Sequence, residues 1–261
     1  MQLNSWIECM DRIAPAVLAE SWDNSGLLIE PENREIRHVL IALDCTLQIV
    51  SEAKWIGADM ILTHHPVLFS PVKRILRDEP DTAVVWRLIR SGIGLFAAHT
   101  NLDRAEGGVN DTLAERLEIK NPVPYGDGIG RIGMLKEPVP LQKFVRDVEN
   151  KLNTVVSYTG NPECPVQKIA VLGGAGGNAI REAADAGADA YLTGEAKHHE
   201  GIASAVLGIP LLVAGHDETE RVILTDLMDR LQAMTDDVKY SLALSDGGPF
   251  RRGTGGTRHD Q

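Results

Sequence analysis

The 261-residue chain is 43% apolar and carries a net charge of -11, from 26 Lys plus Arg against 37 Asp plus Glu. It can bury one large core or two small ones, and its acidity denies it any global attraction to nucleic acid or anionic membrane. Three scattered cysteines form neither a disulfide framework nor a CxxC pair, and no apolar run approaches the ~18 residues of a membrane span.

The first residues, MQLNSWIECMDRIAP, read as an amphipathic helix. With Glu8 and Asp11 they lack the basic start of a signal peptide, so a cytoplasmic protein is expected. WDNSG (22–26) follows, with Asp23 and Asn24 as turn or cap residues, Gly26 supplying a permissive backbone, and Trp22 in the core or at an interface. HVLIALD (38–44) is a β-rich strand, LQIVSEAKWIG a helix and ADMILTHH (58–65) the next strand. A loop, PVLFSPVKRILRDEP, holds the best short basic patch, KRILR (73–77), read as a solvated face. Helix TAVVWRLIRSG, strand GLFAAHT (94–100) and helix VNDTLAERLE come next.

NPVPYGDGIG (121–130), with its prolines and glycines, is the clearest candidate linker. Beyond it the pattern predicts strand RIGMLK, helix LQKFVRDVENKL, strands TVVSYT and KIAVLGG, and helix NAIREAADAG. Strand ADAYLTGE, helix GIASAVLG, strand PLLVAGH, helix TERVILTDLMDRLQAM and strand VKYSLAL complete it. Apolar strands separated by helices imply an α/β fold, with mostly parallel sheets covered by helices on both faces. Two intertwined α/β units are expected: residues 1–125 plus 210–246, and residues 126–209. The Gly-rich tail 247–261 is expected to be disordered. GADMILTHH (57–65) and GADAYLTGE (187–195) echo one another, as two related units would.

In open α/β sheets ligands bind beyond the carboxyl ends of the strands. Three strands deliver histidines there: His64 and His65, then His99, then His216. Asp103 follows His99 by one helical turn, and Glu220 follows His216 by four residues, a spacing that shares a helix face. Imidazole and carboxylate ligands suit Zn, Fe, Mn, Co and Ni alike. Six such groups exceed one tetrahedral ion and suit two ions about 3.5–4 Å apart sharing a carboxylate. Neighbouring strand residues point to opposite sides, so His64 and His65 are expected to serve one ion each.

The set SWDNSGLLIE, ALDCT, GADMILTHHPVLF, AAHTNLDRAEGGVND, GADAYLTGE and AGHDETER closely resembles the type 2 GTP cyclohydrolase I family, the Nif-three-like proteins, from about residue 5 to 245. The resemblance implies a toroidal homohexamer of α/β subunits with a dinuclear metal centre facing its cavity. Carried over residue by residue, the implied ligands are His64, His65, His99, Asp103, His216 and Glu220. It also implies a nucleotide substrate, with the imidazole ring of GTP opened at C8 and formate released. Glu195 and His199, in GEAKHHE, are candidates for proton transfer, and His198 reads as a polar helix start.

Other readings remain beside this one. KIAVLGGAGGNAIREAADAG offers Gly174-x-Gly176-x-x-Ala179 between a strand and a helix, with Glu195 ending the next strand. That is the context of a dinucleotide site, of a phosphate cradle at Gly173–Gly177, or of a purely structural turn. A ring-shaped nucleic-acid-binding or regulatory protein is disfavoured by the acidity, and a metal-dependent phosphoesterase shares the ligand chemistry. Cys45 has nothing beside it that would activate a thiol, and there is no GxSxG elbow.

Overall fold

The computed structural model describes residues 1–248, so the expected disordered tail lies outside the described residues from position 249 onward. The first part of the chain runs α1 (Leu3–Ile13), β1 (Gly26–Ile29), β2 (His38–Ala42), α2 (Leu47–Ile56), β3 (Met60–Thr63), α3 (Pro80–Ser91) and β4 (Gly94–Ala97). Two short helices follow, α4 (Thr100–Arg104) and α5 (Val109–Arg116), then β5 (Lys120–Tyr125), β6 (Gly130–Pro140) and α6 (Leu141–Leu152). The chain continues through β7 (Ser157–Tyr158), β8 (Pro165–Leu172), α7 (Ile180–Asp185), β9 (Ala190–Thr193) and α8 (His198–Leu207). It ends with β10 (Leu211–Val213), α9 (His216–Glu220), α10 (Ile223–Met234) and β11 (Lys239–Leu242).

Two sheets result, ordered β1-β4-β3-β2-β11 and β5-β6-β8-β9-β10-β7. The first is parallel except for its edge strand β1. The second is parallel through β8, β9 and β10, with antiparallel partners outside them. β2, β3, β4 and β9 are buried along their whole length, which is why they read as unbroken apolar runs. Helices cover both faces of each sheet. In the first, Trp6 and Met10 of α1 pack with Leu227 and Leu231 of α10 on one side, and Ile49 and Val50 of α2 with Leu88 of α3 on the other. In the second, Leu113 of α5 and Phe144 of α6 oppose Ile180 and Ala183 of α7.

The nine-residue echo has a physical counterpart. Asp59 accepts hydrogen bonds from the amides of Arg37 and His38 as β2 begins, and Asp189 does the same for Gln167 and Lys168 as β8 begins. The strand after each ends on a buried threonine, Thr63 or Thr193, whose carbonyl accepts from Ala98 or Ala214. The β2–β4 and β8–β10 units therefore repeat one design.

Two expectations need correction. Residues 121–130 are a β-hairpin and not a linker: β5 pairs with β6 through Tyr125↔Gly130, and Gly126 and Gly128 turn the chain at φ 61° and 96°. Pro122 and Pro124 are tolerated because β5 is an edge strand whose outer amides need no partner. The strand pairing also places 120–125 and 211–213 in the second sheet, not in the first unit. Parallel pairing of β10 with β9 draws it across. No described helix is long and apolar enough to cross a membrane.

Candidate metal centre

The carboxyl ends of the two sheets face each other across a seam, and the six expected residues meet there. β3 ends at Thr63, so His64 and His65 fall just past the strand; β4 leads to His99 and α4 to Asp103. Across the seam, β10 leads through Gly215, at φ 95°, directly into α9, which puts His216 and Glu220 on one face of a single turn. Their donor atoms lie in three overlapping groups: His65, His216 and Glu220; His64, Asp103 and Glu220; and His64, His65 and His99.

Glu220 is the hub. Its Oε2 lies 3.0 Å from His65 Nε2 and 3.1 Å from His216 Nε2, and those two nitrogens are 3.2 Å apart. Its Oε1 faces His64 Nε2 at 3.7 Å, and that nitrogen is 3.5 Å from Asp103 Oδ1. The adjacent histidines therefore address opposite oxygens of one carboxylate, with ring centroids 4.9 Å apart.

Every imidazole is held from behind. His64 Nδ1 donates to the Ala98 carbonyl at 2.8 Å, His65 Nδ1 to Asp44 at 2.9 Å, and His99 Nδ1 to Asp23 at 2.7 Å. His216 Nδ1 lies 3.2 Å from Glu195 Oε1. A carbonyl or carboxylate partner fixes the proton on Nδ1 and leaves the Nε2 lone pair facing inward, as metal-binding histidines require. Asp23 is itself gripped by Ser25 Oγ and by the amide and hydroxyl of Thr100.

These residues fit a metal on two counts. With the imidazole protons on Nδ1, His64 Nε2 and Glu220 Oε2 are buried and face only other acceptors, a state that is costly unless a cation fills it. The 3.0–3.2 Å spacing of the His65, His216 and Glu220 donor atoms matches the roughly 3.3 Å between ligands of a tetrahedral ion with ~2.0 Å bonds.

Without an ion, protons carry the positive charge. Burial works against a charged His65, but Asp44 and Glu220 outweigh it and push the imidazole up to about 10. Glu220 raises His216 as well. Burial opposes the Glu220 charge, yet His64, His216 and His65 hold it well below the usual carboxylate range. Burial lifts Asp103, although His64 pulls the other way.

The Gly-rich turn after β8 has a different task from the one its composition suggests. Gly173 N donates to Asn110, Gly174 N to Thr219, Gly176 N to Thr193 and Gly177 N to the Glu195 carbonyl. These four amides are engaged inside the protein and are not offered to a phosphate. Gly174 takes φ 65°, and a Cβ there would sit 2.1 Å from Glu220 Oε1. The turn makes room for the hub carboxylate.

Sequence reasoning missed Asp23 and Asp44 as supports of His99 and His65, since both look like ordinary turn residues. Glu195 stands beside His216 as an orienting partner. His198 and His199 are exposed at the start of α8, and the structure does not bring His199 to the cluster.

A family model described as Duf34/NIF3 (NGG1p interacting factor 3) matches residues 1–247. A Clostridium perfringens protein named GTP cyclohydrolase 1 type 2 homolog is 33% identical, over 96% of this chain and 99% of its own length. A Schizosaccharomyces pombe protein named NIF3 homolog is 32% identical, over 81% of this chain and 82% of its own. A Bacillus cereus crystal structure of a protein related to NIF3 superposes with a TM-score of 0.90 at 26% identity, covering 97% of this chain and 99% of that one.

Gly174→Ala is expected to abolish most metal retention without touching a ligand, because Glu220 must move; elemental analysis of the purified variant checks this. Its backbone strain adds about 1–2 kcal/mol of destabilisation, read by urea unfolding. A second expectation concerns protons. Folding holds the His65 proton more tightly than the unfolded chain does, where the imidazole titrates near ~6.5. That contribution is full below ~6.5 and is lost as pH rises towards 10, so the metal-free protein's Tm should fall across this window while the loaded protein's stays flat. At pH 7 metal binding should release protons, seen as a titration enthalpy that changes with the buffer's ionisation enthalpy. No buffer dependence would contradict it.

Proposed function

The chain belongs to the Duf34/NIF3 family, and on that premise we propose that it is a hydrolase dependent on two divalent metal ions and acting on a purine nucleotide. The observation that carries the proposal is the sharing of Glu220 between two donor groups, one with His65 and His216 and the other with His64 and Asp103. His99 belongs to a third group, with His64 and His65. Divalent ions held there would supply Lewis acidity and an activated water at neutral pH, which is hydrolytic chemistry.

The chain's own residues do the rest. Asp44, Asp23, the Ala98 carbonyl and Glu195 keep four imidazoles in the tautomer that presents Nε2. Glu195, half-exposed beside His216, is a carboxylate placed to accept a proton at the rim of the centre. A cavity of about 540 Å³ opens over His65, His99, Asp103, His216 and Glu220, room enough for a nucleotide. The name carried by several relatives, GTP cyclohydrolase 1 type 2 homolog, supports opening of the purine imidazole ring with formate release as the reaction. The resemblance adds a toroidal homohexamer to the proposal.

Elemental analysis should find about two ions per chain in the wild type, one in His216→Ala and none in Glu220→Gln, with formate release from GTP following the ion content. Full loading of Glu220→Gln would sink the shared-carboxylate assignment, and a loaded wild type that releases no formate would sink the reaction. Light scattering should give about six times the 28.4 kDa chain mass; a mass near one subunit would overturn the ring.

A further inference from the structure

One wall of the cavity over the donor cluster is made of aromatic rings standing in solvent. Trp22 is 57% exposed and Phe69 53% exposed, with ring centroids 5.6 Å apart, and each lies 6.1 Å from the His99 ring. Rings of this size normally sink into a core or meet a partner. Here they are kept out by their neighbours. Asp23, next to Trp22, is fastened to His99 and Thr100, and Asn24 Nδ2 donates to the Leu68 carbonyl, next to Phe69, at 2.5 Å. The two loops are pinned to each other and to a donor histidine, so the pair is a fixed platform.

The remainder of the cavity is unsuited to a polyphosphate. None of its lining residues among the described ones is a lysine or arginine, while Glu20 and Asp127 add carboxylates to its wall. Arg104, behind them, is already engaged by Glu20 and by the Asp127 carbonyl. In the Gly-rich turn on the opposite wall, the amides of Gly173, Gly174 and Gly176 are committed to Asn110, Thr219 and Thr193. Phosphate recognition is strongest where cationic side chains face the anion, and the described residues lining this cavity include no lysine or arginine while two of them are carboxylates set against it.

We infer that the cavity recognises a planar nitrogen heterocycle by stacking on Trp22 and Phe69 beside His99, and that it takes a nucleoside as readily as the nucleoside triphosphate. Stacking on an aromatic face holds a base whatever its substituents, and an uncharged sugar avoids the acidic wall. The inference rests on the proposed purine chemistry for its choice of heterocycle. It concerns recognition alone and leaves the bond-breaking step as described above.

The test is equilibrium binding to the metal-loaded wild-type protein, by calorimetry and quenching of tryptophan emission, with guanosine and GTP as probes. The two are expected to bind within about threefold of each other. Trp22→Ala should weaken both by about tenfold, Trp22→Phe should restore most of the loss, and the ion content of both variants should equal the wild type's. GTP binding more than tenfold tighter than guanosine would overturn the inference. So would an unchanged affinity in both Trp22→Ala and Phe69→Ala, or no binding of guanosine at millimolar concentration. Guanosine binding that depends on Trp22 without any formate release would sustain it while removing the hydrolase reading.

Discussion

A carboxylate cannot be buried alone, and Glu220 is almost wholly buried at the seam between two sheets. Its two oxygens must each find positive charge, and the described residues set no lysine or arginine against them; they set imidazoles. Three histidines face the carboxylate, His99 stands beside two of them, and each of the four has its outer nitrogen tied back to a carbonyl or carboxylate. Imidazoles turned this way cannot satisfy one another without protons or metal ions. The surrounding architecture follows from making that arrangement possible. Positive-φ glycines let the chain turn sharply at Gly215 and leave an empty Cβ position at Gly174. A buried Asn110 meanwhile ties Asp103 and Gly173 together across the seam.

Much of this was legible in the sequence, because the chemistry sits where a local pattern ends. An apolar run that stops at a histidine marks a strand end, and His216 with Glu220 announces its own geometry through helical spacing. The six donors stand out in the sequence for that reason, and in the structure their atoms fall into three overlapping groups. The supports were hidden for a physical reason. Asp23 and His99 are 76 residues apart, Asp44 and His65 are 21 apart, and a carboxylate in a turn has a sufficient local explanation. The Gly-rich turn shows the same limit from the other side. Composition reveals amides able to bind phosphate, but only long-range partners such as Thr219 and Thr193 reveal that they are occupied. At 121–130, prolines that usually mark a linker sit in an edge strand, where a missing amide costs nothing.

The two sheets contribute unequally to the centre. His64, His65, His99 and Asp103 follow strands of the first sheet, while His216 and Glu220 follow a strand of the second. Ions bound among them would therefore clasp the sheets together, and folding and metal loading would be linked. The cavity above spans the same seam, with Trp22 and Phe69 on the first side and Gly173 and Gly176 on the second. Any motion that parts the sheets separates the donors and widens the aromatic slot at once. A planar ring touching both walls would thus favour the arrangement that holds the ions, and the ions would in turn favour binding of the ring. The reciprocity is a thermodynamic necessity wherever one ligand changes the affinity for another.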